Sequence, residues 1–324
     1  MSILGIQYLR ALSALAVVVY HAAHGAAFAH AGHRGVDVFF VISGFIVTYT
    51  TQGRVRATLQ YREAQAFLKR RVLRIVPLYW LATLVSALLR LRYGKLPGSL
   101  LLDFVFIAHP HTLYPKHCWP FLVPGWSLNY EVFFYAVFAL SMLTGRRHAV
   151  VAALVMGALS YVGSVVPTSG VTRFYLGPFG AEFCLGIGLA LLHVRTRIRL
   201  PAPLALALFG LCTALLFRPH ANEQALDALW AAGLVYASLY AFEGLHFPWL
   251  GLLGDASYAI YLAHTEAVGG FHGYVLKPLG MGDANSLPGV FGMLLSVMLA
   301  AGVGVAAHLW LERPLQAEVK RWLG

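Results

Sequence analysis

Arg10 and His21 stand eleven residues apart in a stretch, 3–23, that is otherwise almost wholly apolar. On a helix that spacing returns the two side chains to within about 20° of one face, about 16 Å apart along the axis. An imidazole titrates near neutral pH and can serve as a general base, and a guanidinium binds phosphates or carboxylates. The other reading is a snorkelling arginine near one interface and an interfacial histidine near the other, and position alone leaves both open. Glu131, in Trp126-Ser-Leu-Asn-Tyr-Glu131, falls about two turns inside another apolar stretch. If that stretch runs opposite to the first, Glu131 reaches the depth of His21, where a carboxylate could orient the imidazole and stabilise its protonated form. A structural pair with another cation, such as Arg10, is the alternative.

Further ionisable residues have a plainer explanation beside the chemical one. Asp37, in GVDVFFVISGF, fits a helix-start carboxylate favoured by the dipole. Arg71 and Arg74, after Arg70, are three apart and share a helix face, which suits bidentate phosphate binding as well as anchoring at the inner interface. Tyr258, Tyr261 and His264 follow i, i+3, i+6 spacing and could line a pocket or hydrogen-bond between helices. Seven histidines (His21, His24, His30, His33, His109, His111 and His117) gather toward one side, but no carboxylate or cysteine is interleaved at ligand spacing, so no metal is expected. Cys118, Cys184 and Cys212 are odd in number and suggest no disulfide framework.

These residues have to be positioned by membrane helices. Of 324 residues, 59% are hydrophobic and only 11% charged, and the mean hydropathy is +0.69. A soluble domain carries about a quarter charged residues. Apolar runs long enough to cross a bilayer occur at roughly 3–23, 35–51, 75–91, 126–144, 149–167, 175–193, 202–217, 226–243, 256–275 and 288–311. The expected fold is therefore all-α and polytopic, with about ten transmembrane helices in a single domain over 1–324. Segment 99–108 is too short to cross and reads as interfacial or re-entrant. The polar stretch 52–74 reads as a connection, and Glu312-Arg313-Pro314 as the stop of the last span.

The net charge of +11 sits in short clusters between apolar runs, a topology signal rather than a nucleic-acid groove. With the N-terminus inside, Arg54, Arg56, Arg62, Lys69, Arg70, Arg71, Arg74, Arg146, Arg147, Arg195, Arg197, Arg199, Arg313, Lys320 and Arg321 fall in the cytoplasm. Arg34, Arg90, Arg92, Lys95, Lys116, Arg173, Arg218 and Lys277 fall outside. The excess places both termini in the cytoplasm. A signal peptide ending in AAFAHAG is a competing reading of the first span, and loop charges do not decide against it.

Taken in order, these segments resemble the acyltransferase 3 family of membrane O-acyltransferases. The set is Arg10 with ten residues before His21, then Gly35-Val-Asp37-Val-Phe-Phe-Val-Ile-Ser43-Gly44-Phe45. It continues with Arg70-Arg71-Val-Leu-Arg74-Ile-Val-Pro77-Leu-Tyr79 and with Trp126-Ser127-Leu128, Glu131 and Tyr135. It closes with Gly254-Asp-Ala-Ser257-Tyr258-Ala-Ile-Tyr261-Leu262-Ala-His264 and Glu312-Arg313-Pro314. The resemblance implies ten membrane helices and transfer of an acyl group, commonly acetyl, from cytoplasmic acyl-CoA to a hydroxyl. The implied acceptor is a polysaccharide or other glycan, with the exopolysaccharide acetyltransferases the nearest in pattern. The extra extracytoplasmic hydrolase-like domain of some relatives is expected to be absent.

On this reading His21 is the general base, Glu131 its orienting carboxylate, and Arg10 a CoA-phosphate ligand or a support for the polar stripe. Arg70, Arg71 and Arg74 would hold the donor's phosphates, with Tyr258 and Tyr261 as further donor-site candidates. Ser43 and Ser127 are conceivable nucleophiles, but neither sits in an elbow motif, so direct transfer is favoured. The expected partners are the lipid bilayer of the cytoplasmic (inner) membrane, acyl-CoA and the glycan, with no nucleic acid and a homodimer left open. The competing class is a multi-span transporter of a glycan or small anionic solute, against which the lack of two related halves with broken helices argues.

Overall fold

The computed structural model describes residues 3–52, 60–91, 99–111, 114–196, 199–218 and 224–323. Arg54, Arg56, Arg92, Lys95 and Arg197, counted above toward orientation, lie outside the described residues. Among those described, all regular structure is helical. The helices are α1 (Leu4–Ala22), α2 (Gly35–Thr51), α3 (Gln60–Leu91), α4 (Leu100–Phe104), α5 (Gly125–Met142), α6 (His148–Val165) and α7 (Gly170–Tyr175). They continue with α8 (Phe179–Thr196), α9 (Ala202–Leu216), α10 (Gln224–Ala241), α11 (Pro248–Asp255), α12 (Ser257–Phe271), α13 (Leu287–Ala307) and α14 (Arg313–Leu323).

Each of the ten apolar stretches falls on one of these helices. Six helical segments among the described residues are long and apolar enough to cross a membrane: Leu4–Ala22, Ala27–Thr51, Gln60–Leu91, Gly145–Val165, Gly170–Thr196 and Leu287–Val319. The other four are shorter or more polar. α9 and α12 have 15 residues each, α10 carries Asp227 in its first turn, and α5 carries Asn129 and Glu131.

Two expectations about element boundaries are corrected, and one is made more definite. The stretch 52–74 is not a connection throughout, because α3 begins at Gln60 and has 32 residues, with Arg62, Lys69, Arg70, Arg71 and Arg74 on its first half. A run of polar helix formers is indistinguishable from a loop by hydropathy. Segment 99–108 holds only the five-residue α4, tied to α3 where Trp80 Nε1 donates to the Phe104 carbonyl at 2.9 Å. Pro314 does not end the last helix. A π-helical turn, His308–Glu312, joins α13 to α14 and absorbs the register that a missing N–H would otherwise break.

The chain divides into two compact units, residues 1–39 with 199–318 and residues 40–198 with 319–324. In the first, α1 is the central element and packs against α10, α11, α12 and α13. It ends where His24 and Gly25 take positive φ, 47° and 93°, a left-handed turn that glycine adopts without strain. Close approach is secured by small residues: a Cβ on Gly254 would lie 2.2 Å from the Gln7 carbonyl oxygen. Arg34, expected as an outer-loop charge, is buried. Its Nε donates to Asp227 at 3.0 Å and its Nη1 to the carbonyls of Leu216 and Arg218, each at 3.0 Å. A charge so enclosed is tolerated because carboxylate and carbonyls replace its water.

In the second unit α5 packs on α3 and α6, and α6 on α8. α2 meets α8 backbone to backbone: Gly44 abuts the Phe183 carbonyl and Gly186 abuts that of Val41, leaving no space for a side chain at either glycine. The ring of Phe134 stacks on Phe183 at 4.0 Å, with Phe40 and Tyr130 around them. This aromatic packing fixes the face of α5 that carries Glu131 and Tyr135.

Candidate active site

Within the first unit the functional candidates converge on α1 and α12. Arg10 is half-buried, and its Nη1 donates to Gln7 Oε1 at 2.9 Å. Gln7 Nε2 in turn donates to Asp255. The guanidinium is thus held by an amide whose orientation a carboxylate sets. Gln7 and Asp255 were missed as site residues. Asp255 lies inside the Gly254-Asp-Ala-Ser257 motif and Gln7 sits one turn before Arg10, but their 248-residue separation hides the pairing.

His21, half-buried in the last turn of α1, has the ring of Tyr20 at 4.9 Å and that of His264 at 4.9 Å. His264 is fully buried on α12, and its Nδ1 donates to the Tyr261 carbonyl at 2.6 Å. Tyr261 is buried beside Phe39 and His264, while Tyr258 is half-buried. Asp37 is buried in the first turn of α2, the position expected of a helix-start carboxylate.

In the second unit Glu131 is half-buried and accepts from Ser43 Oγ at 2.8 Å and from the Tyr135 hydroxyl. Ser43 Oγ and Tyr135 Oη are themselves 3.1 Å apart. Two hydroxyls converging on one carboxylate can order a proton and hold a polar group that approaches them. The Arg71 guanidinium lies over the rings of Tyr135 at 5.3 Å and Phe67 at 5.6 Å. Arg70 and Arg74 are exposed. Arg71 and Arg74, expected to act together, therefore have different surroundings. Ser127 Oγ donates to the Pro124 carbonyl at 3.2 Å, a helix-start contact. His21 and Glu131 fall in different units, and each has the partners just described within its own.

The remaining histidines of the sequence-predicted cluster are dispersed into small groups. His24 packs on His272 at 3.6 Å, and His30 and His33 sit 5.2 Å apart beside Tyr20. Burial lowers the affinity of His24 for a proton, and the nearby charges of His272 and Lys277 lower it further. His109 Nε2 donates to Asp103 Oδ1 at 2.7 Å, and the Phe121 amide donates to Asp103 Oδ2 at 3.2 Å. Burial pushes the Asp103 carboxyl up, and these two hydrogen bonds pull it partly back. This loop follows α4, and Asp103 is its pin. The Tyr114 amide donates to His111 Nδ1 at 3.2 Å, and His117 stacks on Trp119 at 4.0 Å.

Comparison with known proteins identifies the family. A family model described as an acyltransferase domain matches residues 3–308, nearly the whole chain. The chain is 35% identical over 302 residues to the exopolysaccharide production protein ExoZ of Rhizobium meliloti (strain 1021), covering 88% of this chain and 89% of that one. It is 27% identical to the acyltransferase MdmB of Streptomyces mycarofaciens, covering 94% and 89%. It is 24% identical to the peptidoglycan O-acetyltransferase OatA of Listeria monocytogenes, covering 80% of this chain and 48% of that one, about half the relative's length. No solved structure matches the chain significantly. Family match, apolar helices and the ordered motifs agree: the chain belongs to the acyltransferase 3 family, as an integral membrane enzyme that transfers acyl groups.

Proposed function

We propose that the enzyme moves an acyl group, acetyl in the simplest case, from cytoplasmic acyl-CoA to a hydroxyl of an exported polysaccharide. The observation that carries this reading is the alignment, over 88% of the chain, with a relative named for exopolysaccharide production. The protein sits in the cytoplasmic membrane with both termini inside, and α5, α9, α10 and α12 cross along with the six longer segments to make ten spans.

His21 is the base in this scheme. Its ring takes the proton of the acceptor hydroxyl as the oxygen attacks the thioester carbonyl. The carbon–oxygen bond forms, the carbon–sulfur bond breaks with its electron pair on sulfur, and the same proton returns to the thiolate. Base and acid are one residue, so no proton is gained or lost over the cycle. Arg70 and Arg74, exposed on α3, bind the donor's phosphates. Arg10, held by Gln7, keeps positive charge on the α1 face that carries His21.

The test uses purified full-length protein in detergent, acetyl-CoA and an alkali-deacetylated bacterial exopolysaccharide. Acetyl-CoA is consumed only with acceptor present, and His21→Ala abolishes consumption while leaving the elution profile and thermal unfolding unchanged. Full activity in that variant refutes the assignment of the base. Movement of acceptor across a vesicle membrane without thioester cleavage refutes the enzyme reading of the site.

A further inference from the structure

Among the described residues, His264 has a polar atom with nothing to bind. It is 0% exposed, and its Nδ1 proton is committed to the Tyr261 carbonyl, which can only accept. Nε2 is therefore the nitrogen with the lone pair, and among the described residues no donor meets it. A buried acceptor left unmade is unfavourable, and native proteins keep few of them without a use. The ring beside it is His21, at 4.9 Å between centroids and tilted by 51°. Two imidazoles joined by an N–H···N bond of about 2.9 Å have centroids about 5 Å apart. The spacing already matches, and a turn of the half-buried His21 ring about its own torsions supplies the alignment.

We infer that His264 is a positioning residue for His21: its Nε2 accepts the N–H of one His21 nitrogen and leaves the other nitrogen with the lone pair that meets the acceptor hydroxyl. The inference rests on the assignment of His21 as the base. Tautomer control of a catalytic histidine needs a fixed acceptor on its far side. A carboxylate usually supplies it; here a neutral imidazole does, with its own tautomer set by a backbone carbonyl one turn earlier. When His21 takes up a proton, the bond to Nε2 becomes charge-assisted and strengthens as charge develops. The titratable groups on the elements around this pair are His24, His30, His33 and Arg34 from the turns after α1, Arg10 on α1, Asp227 on α10, Asp255 on α11, Glu266 on α12, and His272, Lys277 and Asp283 after α12. Asp227 bonds Arg34 and Asp255 bonds Gln7, and among the described residues no hydrogen bond or ion pair joins a carboxylate to either ring of the pair.

Two substitutions separate a positioning role from a packing one. His264→Gln places an amide oxygen near the site of Nε2, whereas His264→Asn reaches only as far as Nδ1. In full-length protein labelled with 15N-histidine, the His21 ring nitrogens are assigned by difference from His21→Gln. They report a single tautomer in the wild type and in His264→Gln, and a mixture in His264→Asn. With acetyl-CoA and the deacetylated polysaccharide, His264→Asn loses about tenfold or more in kcat with the acetyl-CoA KM nearly unchanged, and His264→Gln recovers most of it. Identical His21 spectra in the wild type and both variants overturn the inference, as does equal loss of kcat in Gln and Asn. The spectra decide the pairing even if the wild type consumes no acetyl-CoA, an outcome that would sink the proposed function instead.

Discussion

At the scale of single residues, the arginines of α3 show how the same side chain is put to different ends. Arg74 and Arg70 are exposed, whereas the Arg71 guanidinium rests on two rings, one of which, Tyr135, bonds Glu131. Arg74→Gln should raise the KM for acyl-CoA several-fold with kcat retained. Arg71→Gln should lower thermal stability by about 0.5–2 kcal/mol through the lost cation–π contacts, together with kcat. Steady-state kinetics and an unfolding curve on each variant check the split, and a pure KM effect from Arg71→Gln would reject it. The sequence singled out Arg10, His21, Glu131, Ser43 and His264 as candidates, because ionisable and hydroxyl groups stand out in apolar runs. It could not show who bonds whom. Ser43 and Glu131 are 88 residues apart, and His21 and His264 more than two hundred. Only the fold supplies those contacts.

At the scale of elements, two polar devices hold segments in place. The first is Arg34 with Asp227, which ties the turn before α2 to α10. Asp227→Ala strands a buried guanidinium and should destabilise the protein by about 3–5 kcal/mol, whereas replacing both residues with leucine should restore much of the loss. Thermal unfolding of the single and double variants measures both. The second is His111 in the loop after α4. Burial and then Arg90 lower its affinity for protons; Asp103 pulls the other way, and His109 and His117 add smaller lowering effects. A histidine with a depressed folded pKa contributes stability above its usual value near 6.5, and loses it as pH falls below that. Protonating Nδ1 also removes the acceptor for the Tyr114 amide. Hydrogen exchange at Tyr114, corrected for the intrinsic pH effect, should therefore accelerate between pH 7.5 and 5. His111→Asn, which keeps an acceptor at that position, should flatten the response.

Most element positions follow from hydropathy, as α1, α2 and α13 show. The start of α3 does not, since residues 60–74 are polar. Nor does the continuation through Pro314, since a π-helical turn has no marker in residue type. The burial of Arg34 is hidden for a related reason: loop charge and buried ion pair have the same spelling.

At the scale of the molecule, the proposed orientation makes its own prediction. In a variant without native cysteines, a cysteine at Tyr114 should react with an impermeant maleimide on intact cells, and one at Arg62 only after permeabilisation. The opposite pattern would invert the protein and remove the cytoplasmic donor from the proposed reaction. Length adds a further consequence for α3. Its 32 residues span about 48 Å, against a hydrocarbon thickness of about 30 Å. The first turns must then stand among the headgroups, and Arg62, Lys69, Arg70 and Arg74 with them. Phosphatidylserine or phosphatidylglycerol would gather around those cations, each worth about 1 kcal/mol near the surface, and would compete with the nucleotide for the same charge. On the proposed donor assignment, the KM for acyl-CoA should then vary with the lipid composition of the leaflet, and salt that screens the headgroups should alter it.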